Sequence, residues 1–201
     1  TLFRSVTGFG RSGELFGTRL WGVNADMWCL AKGISSGYVP LGATAINHRI
    51  ADVFDADTTG TASVSHGYTY SAHPLAAAAA LATLDQIEAL DVTGNAARVG
   101  AHLQSRLGKL VDSCNFVGDV RGVGLMLGIE MVSDKAQRIP MARSSDIPAR
   151  VAKAAYKAGL MVRISGPNLI LSPPLVITLE EVDFMCDVLE GAFAAVQEGR
   201  A

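Results

Sequence analysis

The sequence predicts an α/β chain of two domains, on three observations. Short apolar runs of strand length recur, each bounded by glycine, proline or small polar residues. Longer stretches with helical spacing separate and follow them. After one Ala/Leu-rich helical block the order becomes strand, strand, helix, strand, strand, helix, so residues 93–201 form an α/β domain and 1–92 a separate part.

Each element has its own signal. Met27 to Ala31 and Ala43 to Ile46 are apolar runs suited to covered strands, and the turn between them carries Lys32 with Gly33, Gly37 and Gly42. Ala51 to Gly67 is rich in Asp, Thr, Ser and Gly without an apolar period, which predicts a loop or a disordered stretch; its length favours a functional loop. Pro74 suits the first position of a helix running to Leu90. A second helix is predicted from Thr93 to Val111, with Val99, Leu103, Leu107 and Leu110 along one side. Val117 to Val123 and Leu125 to Val132 read as strands parted by glycine, and Ile147 to Ala158 as a helix stopped by Gly159. Arg163 interrupts a β run from Leu160 to Ser165, an arrangement that fits a guanidinium aimed into a cleft and also one that pairs with a surface acid. Thr178 and Glu181 make a capping box for the last helix, whose apolar face is Val182, Met185, Leu189, Phe193 and Val196.

Composition narrows the function. A net charge of -2 without a Lys/Arg cluster argues against a nucleic-acid surface, which needs concentrated positive charge, and leaves small molecules as the expected ligands. Cys29, Cys114 and Cys186 are odd in number and lack metal-ligand spacing, so they read as reduced, buried thiols of a cytoplasmic protein, and no metal site is expected. Trp21 and Trp28 are expected to fill core volume. The apolar stretch from Pro74 to Leu84 is too short for a bilayer.

Lys32 is the candidate for chemistry. A cation at the end of an apolar strand loses hydration on burial, which favours the neutral amine, the nucleophile toward an aldehyde. Small neighbours would let a flat ring approach. The same spacing also fits a strand end that points to the surface.

Three strings settle the resemblance: Thr7-Gly8-Phe9-Gly10-Arg11-Ser12-Gly13, then Ala31-Lys32-Gly33 with the tail Gly37-Tyr38-Val39-Pro40-Leu41-Gly42, then His66-Gly67-Tyr68-Thr69-Tyr70-Ser71-Ala72-His73-Pro74. From about Val6 onward the chain resembles the C-terminal part of a class III (fold type I) pyridoxal-phosphate-dependent aminotransferase. The resemblance implies the end of the large PLP-transferase domain over 1–92 and the small C-terminal α/β domain over 93–201. It makes Lys32 the catalytic residue that holds pyridoxal 5'-phosphate through its amine and later shuttles a proton. Thr69 would hydrogen-bond the cofactor phosphate from the neighbouring subunit, which implies a homodimer or higher oligomer. Arg163 would take a substrate carboxylate, as in the branch that moves amino groups from ω-amino acids or amines to pyruvate or a similar keto acid. The ornithine-like branch has an arginine where Ile170 and Leu171 stand here. His66, His73, Arg11 and Arg121 to Gly124 are expected to be structural.

The resemblance breaks off before Val6. The family has an aspartate for the pyridine nitrogen where this chain has Phe3, and a phosphate-cradling turn, a ring-stacking aromatic and further strands upstream. Impaired activity in a truncated chain is the resulting expectation. The alternative is a non-catalytic remnant that serves as a dimerisation or interaction module through an exposed sheet edge.

Overall fold

In the computed structural model, Met27–Leu30 forms strand β2, with β1 (Leu2–Phe3) parallel on one side and β3 (Ala43–Ile46) antiparallel on the other. The structure describes residues 6–200 and the backbone of Leu2 and Phe3; the side chain of Phe3, with Arg4 and Ser5, lies outside the described residues. The chain divides into two units, Thr1–Thr93 and Gly94–Ala201.

In the first unit, helix α1 (His48–Asp55) follows β3 directly. The loop expected from Ala51 onward is therefore corrected: it starts only after Asp55. Asn47 is the reason, because its side chain accepts a hydrogen bond from the Ile50 N–H and caps the helix just upstream of the stretch that looked patternless. Asp26 anchors the same cap, accepting from Asn47 Nδ2 at 2.6 Å and pairing with Arg49 at 2.7 Å. Helix α2 (Pro74–Ala89) begins at Pro74, with His73 as its N-cap residue.

Trp28 packs on Phe16 with ring centroids 4.9 Å apart. Trp21, however, is 60% exposed instead of filling core. It ends a short 3-10 helix (Gly17–Trp21), and its ring lies over Gly17 at ordinary contact distance, while the closer neighbour of that glycine is Thr7. Cys29 is half-buried, not buried as expected, because β2 belongs to a sheet of three strands.

The second unit holds most of the core. Its antiparallel sheet has the order β4 (Val117–Val123), β5 (Met126–Asp134), β8 (Asn168–Leu171), β7 (Arg163–Ser165), and β6 (Ile139–Pro140) pairs with the end of β5. Alternate residues Leu127, Ile129 and Met131 of β5 are buried in one cluster with side chains of α3 (Val92–Gly108), α5 (Ile147–Lys157) and α6 (Leu179–Gln197). Each such side chain removed from water contributes roughly 1.5–3 kcal/mol. The single helix expected from Thr93 to Val111 is two: α3 ends at Gly108, Lys109 turns, and α4 (Leu110–Ser113) resumes. Glycine at the last position of α3 weakens continuation. Lys135 then reaches back, its Nζ donating to the carbonyls of Val111 and Cys114 and closing the end of α4. Asn95 Nδ2 donates to Leu175 O and Ile177 O at 2.9 and 3.0 Å, tying α3 to the segment before α6.

Candidate active site

β2 ends at Leu30, and the chain breaks into a 3-10 turn, Lys32–Ser35. Lys32 has φ 54 and Ser36 φ 50, both left-handed, a conformation that costs a non-glycine residue about 1 kcal/mol or more. Ser35 is buried and its Oγ donates to Val39 O at 2.7 Å, fastening the turn. Lys32 itself is exposed, which corrects the expected burial. The turn leaves the sheet at the C-terminal end of β2, and α2 packs against it without closing over the amine.

The turn of the first string abuts this one. Gly17 N–H donates to Thr7 O at 2.8 Å and Phe9 N–H to Leu15 O at 2.6 Å, folding residues 7–17 into a tight reversal. On its first arm, opposite Leu15, Phe9 is buried with φ 62 and lies against Gly33. Burial lowers the pKa of Arg11, two residues on, although its guanidinium stays in the charged range.

Thr69 lies in an exposed turn in which Ser71 N–H donates to Tyr68 O at 2.9 Å and Tyr68 N–H to Ser71 Oγ at 3.0 Å. Its hydroxyl makes no hydrogen bond with the other described residues. Ala72, which leads into α2, is again left-handed with φ 56. The loop before it is organised by Asp57, whose carboxyl is held down to about 2 by bonds from Thr59 and the backbone N–H groups of Ala62 and Thr59. Each of the three strings thus contains a non-glycine residue in a left-handed conformation. Such strain concentrates at functional sites.

The structure therefore joins the Phe9 turn, the Lys32 turn and the start of α2 in one unit. Arg163 belongs to the other. It opens β7, opposite Ile170 of β8, and is exposed, which corrects the expected inward orientation. The strand is shorter than the apolar run suggested, so Met161 is also left in solvent, 82% exposed. Phe9 and Ala72 are left-handed positions that sequence reasoning passed over. Their only trace was positional, since each stands inside a recognised string.

The family model for class-III aminotransferases matches residues 6–193. The aminotransferase y4uB of Sinorhizobium fredii is 41% identical over 195 residues, covering 96% of this chain and 42% of that protein. Mitochondrial gamma-aminobutyrate transaminase 1 of Oryza sativa subsp. indica is 33% identical over 193 residues, with 96% and 37% covered. Among solved structures, an amine transaminase from an uncultivated Pseudomonas species, in its PLP-bound internal aldimine form, superposes with a TM-score of 0.90 at 52% identity over 95% of this chain and 43% of that one. An (S)-enantioselective omega-transaminase from Thermomicrobium roseum gives 0.87 at 38% identity, with 97% and 43% covered. The chain spans about two fifths of the length of these relatives. With nearly all of its residues inside the family match, the chain belongs to the class-III aminotransferases.

Proposed function

We propose that the chain is the lysine-bearing part of a pyridoxal-phosphate-dependent transaminase that moves an amino group from an ω-amino acid or amine to pyruvate or a similar keto acid. One observation carries the reading: Lys32 stands on a left-handed turn at the C-terminal end of β2, which meets Phe9 of the first family string and helix α2, the helix that follows the third. Ligands of open α/β sheets bind beyond the carboxyl ends of strands.

The residues fit the cofactor at two points. Lys32 offers an accessible amine for its aldehyde, and Thr69 offers a hydroxyl with no other partner among the described residues for its phosphate. The position of the ring-nitrogen carboxylate is Phe3, whose side chain is outside the described residues. When bound, pyridoxal phosphate supplies the electron sink of the reaction. Lys32 Nζ would hold it and, once displaced by an amine substrate, would carry the proton. Thr69 would act from a second copy, making the site a dimer property. The guanidinium of Arg163 would take the substrate carboxylate as a forked pair. Relatives named for an amine and for gamma-aminobutyrate, whose amine is remote from its carboxylate, support that substrate class.

Adding pyridoxal phosphate is expected to produce the visible absorption band of a lysine-bound cofactor, and Lys32→Ala to remove it. No band, or a band unchanged in the variant, would end this reading. A second reading, a non-catalytic dimerisation or interaction module, draws on the apolar surface of the first unit, where Leu75 and Leu81 of α2 are 63% and 64% exposed. Self-association without cofactor binding would favour it.

A further inference from the structure

We infer that Phe9 is a positioning residue for Lys32, a role that rests on the cofactor reading above. Gly33 is the hinge of the inference. It does not have a positive φ, so its backbone would accept alanine. Space is what forbids it: a Cβ built on Gly33 would stand 2.8 Å from Phe9 Cβ and 3.0 Å from Cδ2. The glycine next to Lys32 is thus there to receive Phe9.

Phe9 is fixed in turn from three directions. It is 4% exposed, its ring meets Phe16 edge-on at 5.6 Å, and Phe16 continues the stack onto Trp28 of β2. Its backbone N–H is bonded to Leu15 O, and Gly8 bridges to Phe16 across the reversal. A buried ring locked to the strand that precedes Lys32 therefore presses on the residue that follows it. The Lys32–Gly33 peptide is clamped between them, and the direction in which Nζ leaves the sheet follows from that clamp.

The geometry makes a reciprocal prediction. Phe9 is itself left-handed, so Phe9→Gly keeps its backbone conformation while emptying the space beside Gly33. Four proteins are compared: the parent, Gly33→Ala, Phe9→Gly and the double variant. Two readouts are taken. One is hydrogen exchange of the turn amides 31–38. The other is peptide mapping of pyridoxal phosphate fixed by borohydride onto Lys32, relative to Lys109, Lys135, Lys153 and Lys157. Gly33→Ala in the parent is expected to speed turn exchange about tenfold and to lower relative labelling of Lys32 by a similar factor. In the Phe9→Gly background the same change should add little. Parental exchange in Gly33→Ala, or equal effects in both backgrounds, would overturn the inference. Should Gly33→Ala unfold the first unit outright, recovery in the double variant supports the clamp and failure to recover refutes it. Parent protein labelled no more at Lys32 than at the other lysines would instead defeat the cofactor reading, and the exchange data would still decide Phe9.

Discussion

Burial pushes the Cys186 thiol up to about 11 and raises that of Cys114, while Cys29 sits half-buried on β2. Alkylation at mildly alkaline pH should therefore modify Cys29 first, and the other two only on unfolding, as read by mass mapping; early loss of Cys186 would contradict its burial. Asp183 tests the acid side. Its carboxyl accepts from His102 Nε2 at 2.7 Å and Arg106 Nη1 at 2.9 Å, and these bonds hold it below its ordinary value of 3.8. A depressed carboxyl adds stability above its unfolded pKa and loses it as pH falls through the folded one. Asp183→Asn should flatten the loss of stability below about pH 4, measured by acid titration of circular dichroism. An unchanged acid limb would mean the bonds contribute nothing. At this scale the place of Lys32 in a turn after an apolar strand was legible from the run that precedes it. Its exposure was not, because burial depends on what packs over a turn. Phe9 was illegible for a different reason: nothing in a phenylalanine announces a left-handed backbone.

Helix ends and close approaches decide the elements. The Thr178 capping box forms as its spacing predicts, with Glu181 N–H donating to Thr178 Oγ1 at 3.2 Å and Thr178 N–H to Glu181 Oε2 at 2.8 Å. Thr178→Ala should cost about 1 kcal/mol in denaturant unfolding. Gly100 on α3 is more demanding, since a Cβ there would lie 2.1 Å from Gly124 O in the β4–β5 turn. Backbone meets backbone, so neither side can rotate away, and Gly100→Ala should destabilise by about 1–3 kcal/mol. A neutral result would mean that α3 and the turn separate without penalty. The strands β4 and β5 and the faces of α3 and α6 could be read from periodicity, because each buries one side of itself. Helix α1 could not, since its cap at Asn47 precedes the stretch whose composition reads as loop, and the break at Lys109 lies within an unbroken apolar period.

The two units differ in what they bury. Of the buried apolar side chains described, Phe9, Ala76 and Val92 lie in Thr1–Thr93, and the remainder belong to Gly94–Ala201. Exposed Leu75, Leu81, Leu84 and Leu90 leave α2 and its end apolar toward solvent, and a helix apolar all round is usually covered. Concentration-dependent association is expected in sedimentation, and a monomer at micromolar concentration would count against the dimeric site. Hydrogen exchange should show the first unit less protected than the second. A further consequence concerns time. The Asn95 bonds to Leu175 and Ile177 join residues 80 and 82 positions apart, and α6 supplies Val182, Met185, Leu189, Phe193 and Val196 to the core that α3 enters. On the ribosome that core cannot close until its last helix emerges. Until then the apolar stripe of α3 waits without its counterpart, and this interval is when the nascent chain is most open to aggregation or capture by chaperones.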